Sequence, residues 1–205
     1  MELWSRGAEL LETVPVMSGT ILGLEMVTRR SSIDVSMATE IVSADIGACI
    51  HLLRWAGRQY GFGHGGPTRI SECIAIMDAE FFLEILSSRT FVTDTAHCGW
   101  IVVKEKCQRI ARFARLIAES ITGVSPDDAY LVGLLHDNGD VGNVLGWSQD
   151  RSVVRSCGEF LATEGSLPQS TSAAFAELKE DDPSGTWNFI LSGAHELADS
   201  SNSYF

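Results

Sequence analysis

His136 and Asp137 stand side by side at the end of the apolar run Ala129-Tyr130-Leu131-Val132-Gly133-Leu134-Leu135, and Asn138-Gly139 follow them. An imidazole and a carboxylate from one helical turn are two unlike ligands, one way to supply a metal site. The same pair is also what a polar helix end looks like, so the doublet alone does not choose between them. Cys49, Cys73, Cys98, Cys107 and Cys157 are odd in number, scattered and never in a C-x-x-C pair. Neither a disulfide framework nor a structural zinc knuckle is indicated, and reduced thiols packed as small hydrophobes are expected. Arg109, Arg112 and Arg115 recur every third residue. They could read an anion, although a charge run on a helix is more commonly its solvated face. His51 and His195 lie in helical patterns and read as core or surface polar groups, and nothing fixes His64 within its glycine loop.

Charge narrows the partners. In 205 residues, 15 Lys and Arg stand against 27 Asp and Glu, a formal net charge of −12. Such a surface repels a phosphate backbone, since nonspecific nucleic-acid affinity comes from cations that displace counterions. No nucleic-acid partner is expected. No apolar run approaches the ~20 residues that cross a bilayer. Met1-Glu2-Leu3-Trp4-Ser5-Arg6 lacks the basic start and apolar stretch of a secretory signal. A cytoplasmic protein without a membrane partner is the expectation.

The elements that position the doublet are helical throughout. Apolar residues repeat at three- and four-residue spacing, without the sustained β-branched alternation of a sheet. The spacing predicts an all-α protein. Val16, Ile21, Leu22, Leu24 and Met26 mark one helix, Val35, Ala38, Ile41 and Val42 a second with Asp34 as N-cap, and Ile46 to Trp55 a denser central one. Gly61-Phe62-Gly63-His64-Gly65-Gly66-Pro67 must be a surface loop between helices. Ile70, Cys73, Ile74 and Ile76 resume the period, and Phe81, Phe82, Ile85 and Leu86 extend it after Asp78. A long pattern from about 99 to 121 closes at Gly123. Ser125-Pro126-Asp127-Asp128 then carries a full helix start, with Ser as cap, Pro at the first position and an acid three residues on. Further helices are expected over about 150–163 and 169–180, with a last one from Asp182-Pro183 and fraying over Ser200-Ser203. Trp4, Trp55, Trp100, Trp147 and Trp187 are expected to pack in the core or between lobes.

Gly133-Leu134-Leu135-His136-Asp137-Asn138-Gly139 resembles the signature of the HD superfamily of metal-dependent phosphohydrolases. The stretch from Ile41 through Ala44-Asp45-Ile46 and Leu52-Leu53-Arg54 to Ala56 is similar to the HD-related output domain, HDOD, as is Ile70-Ser71-Glu72-Cys73-Ile74-Ala75-Ile76-Met77. The resemblance covers roughly residues 8–200. It implies an N-terminal helical lobe, about 1–90, packed on a degenerate HD-like bundle, about 91–205. There are departures. Ala56-Gly57-Arg58 replaces a small polar triplet, Met77-Asp78 replaces Leu-Gly, and Glu177-Leu178-Lys179 stands where a pair of histidines is usual.

The resemblance also implies a ligand set, in which a His on an earlier helix joins the doublet and an Asp on a late helix. His195-Glu196-Leu197-Ala198-Asp199 is similar to the final helix, which makes Asp199 the late acid. No histidine lies on the helix at 99–121, and His97 falls just outside it. The small-residue register Ala111 to Ala118 places Lys106 at the ligand position, whereas counting back from His136 gives Cys107. At about 100° per residue Lys106 shares a face with Val103, Ile110, Phe113, Ala114 and Ile117, opposite the arginine stripe. An ammonium has no lone pair and cannot replace an imidazole as ligand. Lys106, His136, Asp137 and Asp199 are therefore expected to form a vestigial site without a metal, the ammonium paired with Asp137, Asp199 or both. The alternative in which Cys107, His136, Asp137 and Asp199 hold an ion weakly stays open. No cofactor and no catalysis are expected. The expected role is a non-catalytic output or scaffold module of bacterial signal transduction with a protein partner, and a small anionic ligand is a further candidate. The rivals are a metal-dependent phosphohydrolase on a nucleotide or cyclic dinucleotide, and a nucleotide-sensing module using the old cleft.

Overall fold

The computed structural model describes residues 9–28, 33–61, 67, 69–77, 94–137, 140–146, 156–180 and 184–201. Among them it holds ten helices besides a short helical stretch at 9–12, and no strand. In chain order these are α1 (Ser18–Thr28), α2 (Val35–Ser43), α3 (Ile46–Tyr60), α4 (Ile70–Ala75), α5 (Asp94–Ala118), α6 (Pro126–Leu135), α7 (Asp140–Val144), α8 (Cys157–Glu164), α9 (Gln169–Lys179) and α10 (Thr186–Ser201). The protein is all-α. The helix over Phe81–Leu86, the glycines at 62–66, Trp4, Trp147 and the tail beyond Ser201 lie outside the described residues.

The starts form where local chemistry supplies an acceptor for the free amides of a first turn. Asp34 caps α2 through Met37 N–H at 3.1 Å. Ser125 caps α6 through Asp128 N–H at 3.4 Å with Pro126 in the first turn, and Ser156 caps α8 through Glu159 N–H at 3.2 Å. Gly61 closes α3 with φ of 69°, a left-handed backbone that favours glycine.

In the first half, α2 packs on α1, α3 and α4, and α3 also meets α4. In the second, the 25-residue α5 packs against α6, α7 and α10, and α9 bridges α6, α8 and α10. Trp100 is fully buried, and Trp55 and Trp187 pack half-buried on the core. The halves are tied by α8 on α3, by Arg54 of α3 to Glu164 of α8 at 2.9 and 3.1 Å, and by the Tyr130 hydroxyl donating to Ser43 O at 2.8 Å. Gln108 donates to Ala44 O nearby. Among the described residues no single helix is long and apolar enough to cross a membrane.

Candidate functional site

The doublet is delivered by the close approach of two helices. Ala111 and Ala114 of α5 face Gly133 of α6, and a Cβ at Gly133 would come within 2.8 Å of Ala111 Cα. Only a glycine permits that spacing. α6 ends at Leu135, and His136, in a non-helical conformation, caps it with its N–H on Val132 O at 2.8 Å. Asp137 follows, and its carbonyl accepts the N–H of Asp140, which opens α7, at 2.7 Å.

Lys106 Nζ donates to Asp140 Oδ2 at 2.7 Å. This corrects the expected partner. Asp137 is buried, between Cys107 of α5 and Cys157 of α8, and accepts the Cys157 thiol. Asp199 is exposed on α10, within electrostatic reach of the ammonium but not its hydrogen-bond partner. The helix face is corrected as well. Its buried centre runs through Trp100, Val103, Cys107, Ile110, Ala111, Ala114 and Ala118, and Lys106 sits at its edge. Phe113 and Ile117 are half-buried. The two register positions thus have different neighbours, Lys106 an acid at the site's rim and Cys107 an acid in its interior.

Sequence reasoning missed Asp140. The signal was an acid three residues after Asp137, at the start of another helix and one short step beyond the doublet.

The electrostatics keep the imidazoles neutral. The His136 and His195 rings meet edge to face, with centroids 5.9 Å apart at 79°. Burial, then His195 and then the Lys106 ammonium push His136 down to about 4. Burial and Lys106 lower His195 too, against the pull of Asp199 and Asp140. Burial and the nearby carboxylates push the Cys107 and Cys157 thiols well up, so both stay protonated. This donor set does not fit the metal implied by the HD resemblance. The ligand position carries an ammonium, Asp137 is engaged by a thiol, and among the described residues no three His, Cys, Asp or Glu side chains are grouped to hold an ion.

Two expected results follow from this geometry. The Lys106 and Asp140 side chains are 39% and 33% exposed, so water screens the pair. Lys106→Met is expected to cost about 1 kcal/mol or less, the range of solvated ion pairs rather than the larger penalty of a dry one, as measured by urea unfolding. For His136 the folded state binds its proton less readily than the unfolded chain. Between pH 6.5, the ordinary value, and about 4 the unfolded state therefore carries more protons, and stability falls as pH falls through that window and is flat above it. His136→Gln should flatten the loss in pH-dependent denaturation. An unchanged slope would show that His136 is not its source.

His51 is buried, its Nε2 2.7 Å from Val14 O, as a polar core group. Glu177 accepts Trp187 N–H at 3.0 Å and secures the start of α10.

The chain is similar in structure to the MmoQ response regulator from Methylococcus capsulatus strain Bath. One crystal structure of that protein matches with a TM-score of 0.70 at 15% identity, over 94% of this chain and 88% of the other. A fragment of it matches with a TM-score of 0.67 at 16% identity, over 91% and 84%. A virulence factor from Campylobacter jejuni matches with a TM-score of 0.62 at 16% identity, over 95% and 82%. No family model matches the chain, and its sequence matches no curated protein. At this identity the likeness establishes the fold, an all-helical arrangement spanning nearly the whole chain.

Proposed function

We propose that the chain is a non-catalytic output or scaffold module of HDOD type in bacterial cytoplasmic signal transduction, working by contact with a partner protein. The observation that carries this reading is the Lys106–Asp140 hydrogen bond beside His136 and Asp137. A cation held by the protein itself lies where the resemblance calls for a metal ligand, and it cannot lower the pKa of a bound water as a metal would. The HDOD-like segments span roughly 8–200, an extent that agrees with the 91–95% of the chain shared with the solved structures. One of those proteins is named a response regulator, which supports a signalling role. In this reading residues 1–90 are the N-terminal lobe and 91–205 the degenerate HD-like lobe.

The test is hydrolysis of phosphomonoesters, nucleoside triphosphates and cyclic dinucleotides with Mn, Fe or Mg present. No turnover is expected. Metal-dependent turnover that disappears in His136→Ala would overturn the reading. Lys106→His probes it from the other side, since an imidazole restores the missing ligand type. Calorimetry should show Mn binding stronger than in the parent protein and lost again in Lys106→His/His136→Ala. Equal binding by the parent would mean that lysine is not what keeps the metal out.

A further inference from the structure

The arginine stripe of α5 does not face open solvent alone. Arg112 and Arg115 line a cavity of about 390 Å³ between α2 and α4 on one side and α5 and α6 on the other, and Arg69, just before α4, lines it from across the gap. In a chain of net charge −12, three of the 15 cationic side chains gather at this one cavity. Asp127 draws two of them in, with Arg115 at 3.3 Å and Arg69 at 3.6 Å. Both separations are longer than a well-formed N–H···O hydrogen bond. Arg112, one helical turn before Arg115, has no ion-pair or hydrogen-bond partner among the described residues. Both arginines act on the phenol of Tyr130, a wall of the cavity, which places their charge inside it. The acids Glu40 and Asp128 also line the space, but Asp128 accepts the Thr171 hydroxyl at 3.0 Å and Glu40 is exposed.

We infer that this cavity binds the phosphate end of a small phosphorylated molecule of mononucleotide size, with Arg112 as its main contact and Arg69 and Arg115 closing on it from the two halves of the chain. Planar guanidinium forks match phosphate oxygens in pairs, and although Glu40, Asp127 and Asp128 balance the three arginines in charge, Asp127 engages only Arg69 and Arg115 and leaves the Arg112 fork without an ion pair among the described residues. The volume lies in the range of small-ligand sites. The site is separate from the Lys106 cleft and independent of the HDOD reading. Because the lining comes from both halves, an occupant there would also brace α2 and α4 against α5 and α6.

The test is titration calorimetry on the full chain in phosphate-free, low-salt buffer, with ADP, inorganic pyrophosphate and adenosine as probes, against Arg112→Gln and Arg58→Gln. Arg112 is exposed and unpartnered, so its variant should fold normally, which thermal unfolding checks. Arg58 is an exposed arginine on α3, away from the cavity lining. The expected result is binding of ADP and pyrophosphate but not adenosine, weakened about tenfold or more by Arg112→Gln, as loss of a charged hydrogen bond implies, and unchanged by Arg58→Gln. Absence of binding by ADP and pyrophosphate at millimolar concentration, binding undiminished in Arg112→Gln, or equal weakening in Arg58→Gln would each overturn the site.

Discussion

Asp45→Ala is expected to destabilise the protein by about 3–4 kcal/mol in urea unfolding, because one buried carboxylate serves four donors. Oδ1 caps α3 through Gly47 N–H at 3.0 Å and Ala48 N–H at 3.3 Å. Oδ2 accepts Met17 N–H at 2.8 Å and the Thr20 hydroxyl at 2.7 Å, securing the start of α1. The side chain is fully buried, so water cannot take over these bonds once it is truncated. Two further variants separate the roles. Asp45→Ser keeps an oxygen for the α3 cap and should recover about 1 kcal/mol of the loss. Asp45→Asn keeps one acceptor but points an amide donor at the other pair of donors, so it should recover little. Full rescue by Ser would show that the link to α1 contributes nothing.

Glu164→Ala should cost about 3–5 kcal/mol, because it leaves a buried guanidinium without its main counterion. Only 4% of the Arg54 side chain is exposed, and it meets Glu164 in two parallel hydrogen bonds at 2.9 and 3.1 Å. Glu12, at 3.6 Å from Arg54, is half exposed and makes a weaker substitute. The double variant Arg54→Met/Glu164→Leu is expected to regain much of the loss, since apolar replacement of a whole buried pair is often close to neutral. A double-mutant cycle isolates the coupling. Two independent costs that simply add would rule out the pair as a unit. Since the pair joins α3 to α8, the unfolding of the two halves should also lose coincidence in Glu164→Ala when followed by separate probes.

The stretch from Asp45 to Arg54 was legible as a family-like pattern, yet its physical content lies in these contacts. The capping of α3 by Asp45 is local and readable in principle. Its bonds to Met17 and Thr20 span 28 and 25 residues, and the Arg54–Glu164 pair spans 110. No spacing rule reaches that far.

By itself the sequence determined the helical class, most helix starts and the His136-Asp137 doublet, because period, capping and turn chemistry act within a few residues. It also determined that position 106 carries an ammonium, which has no lone pair to offer a metal, since residue type alone carries that property. The tertiary structure decided which acid Lys106 meets, that Asp137 turns inward to Cys157, and that the pair is wet rather than dry. It also decided that Arg112 and Arg115, exposed on α5, line a cavity together with Arg69. Each of these depends on the distance between helices far apart in the chain. Small residues such as Gly133 against Ala111 set that distance, and no local pattern records which helix will lie opposite.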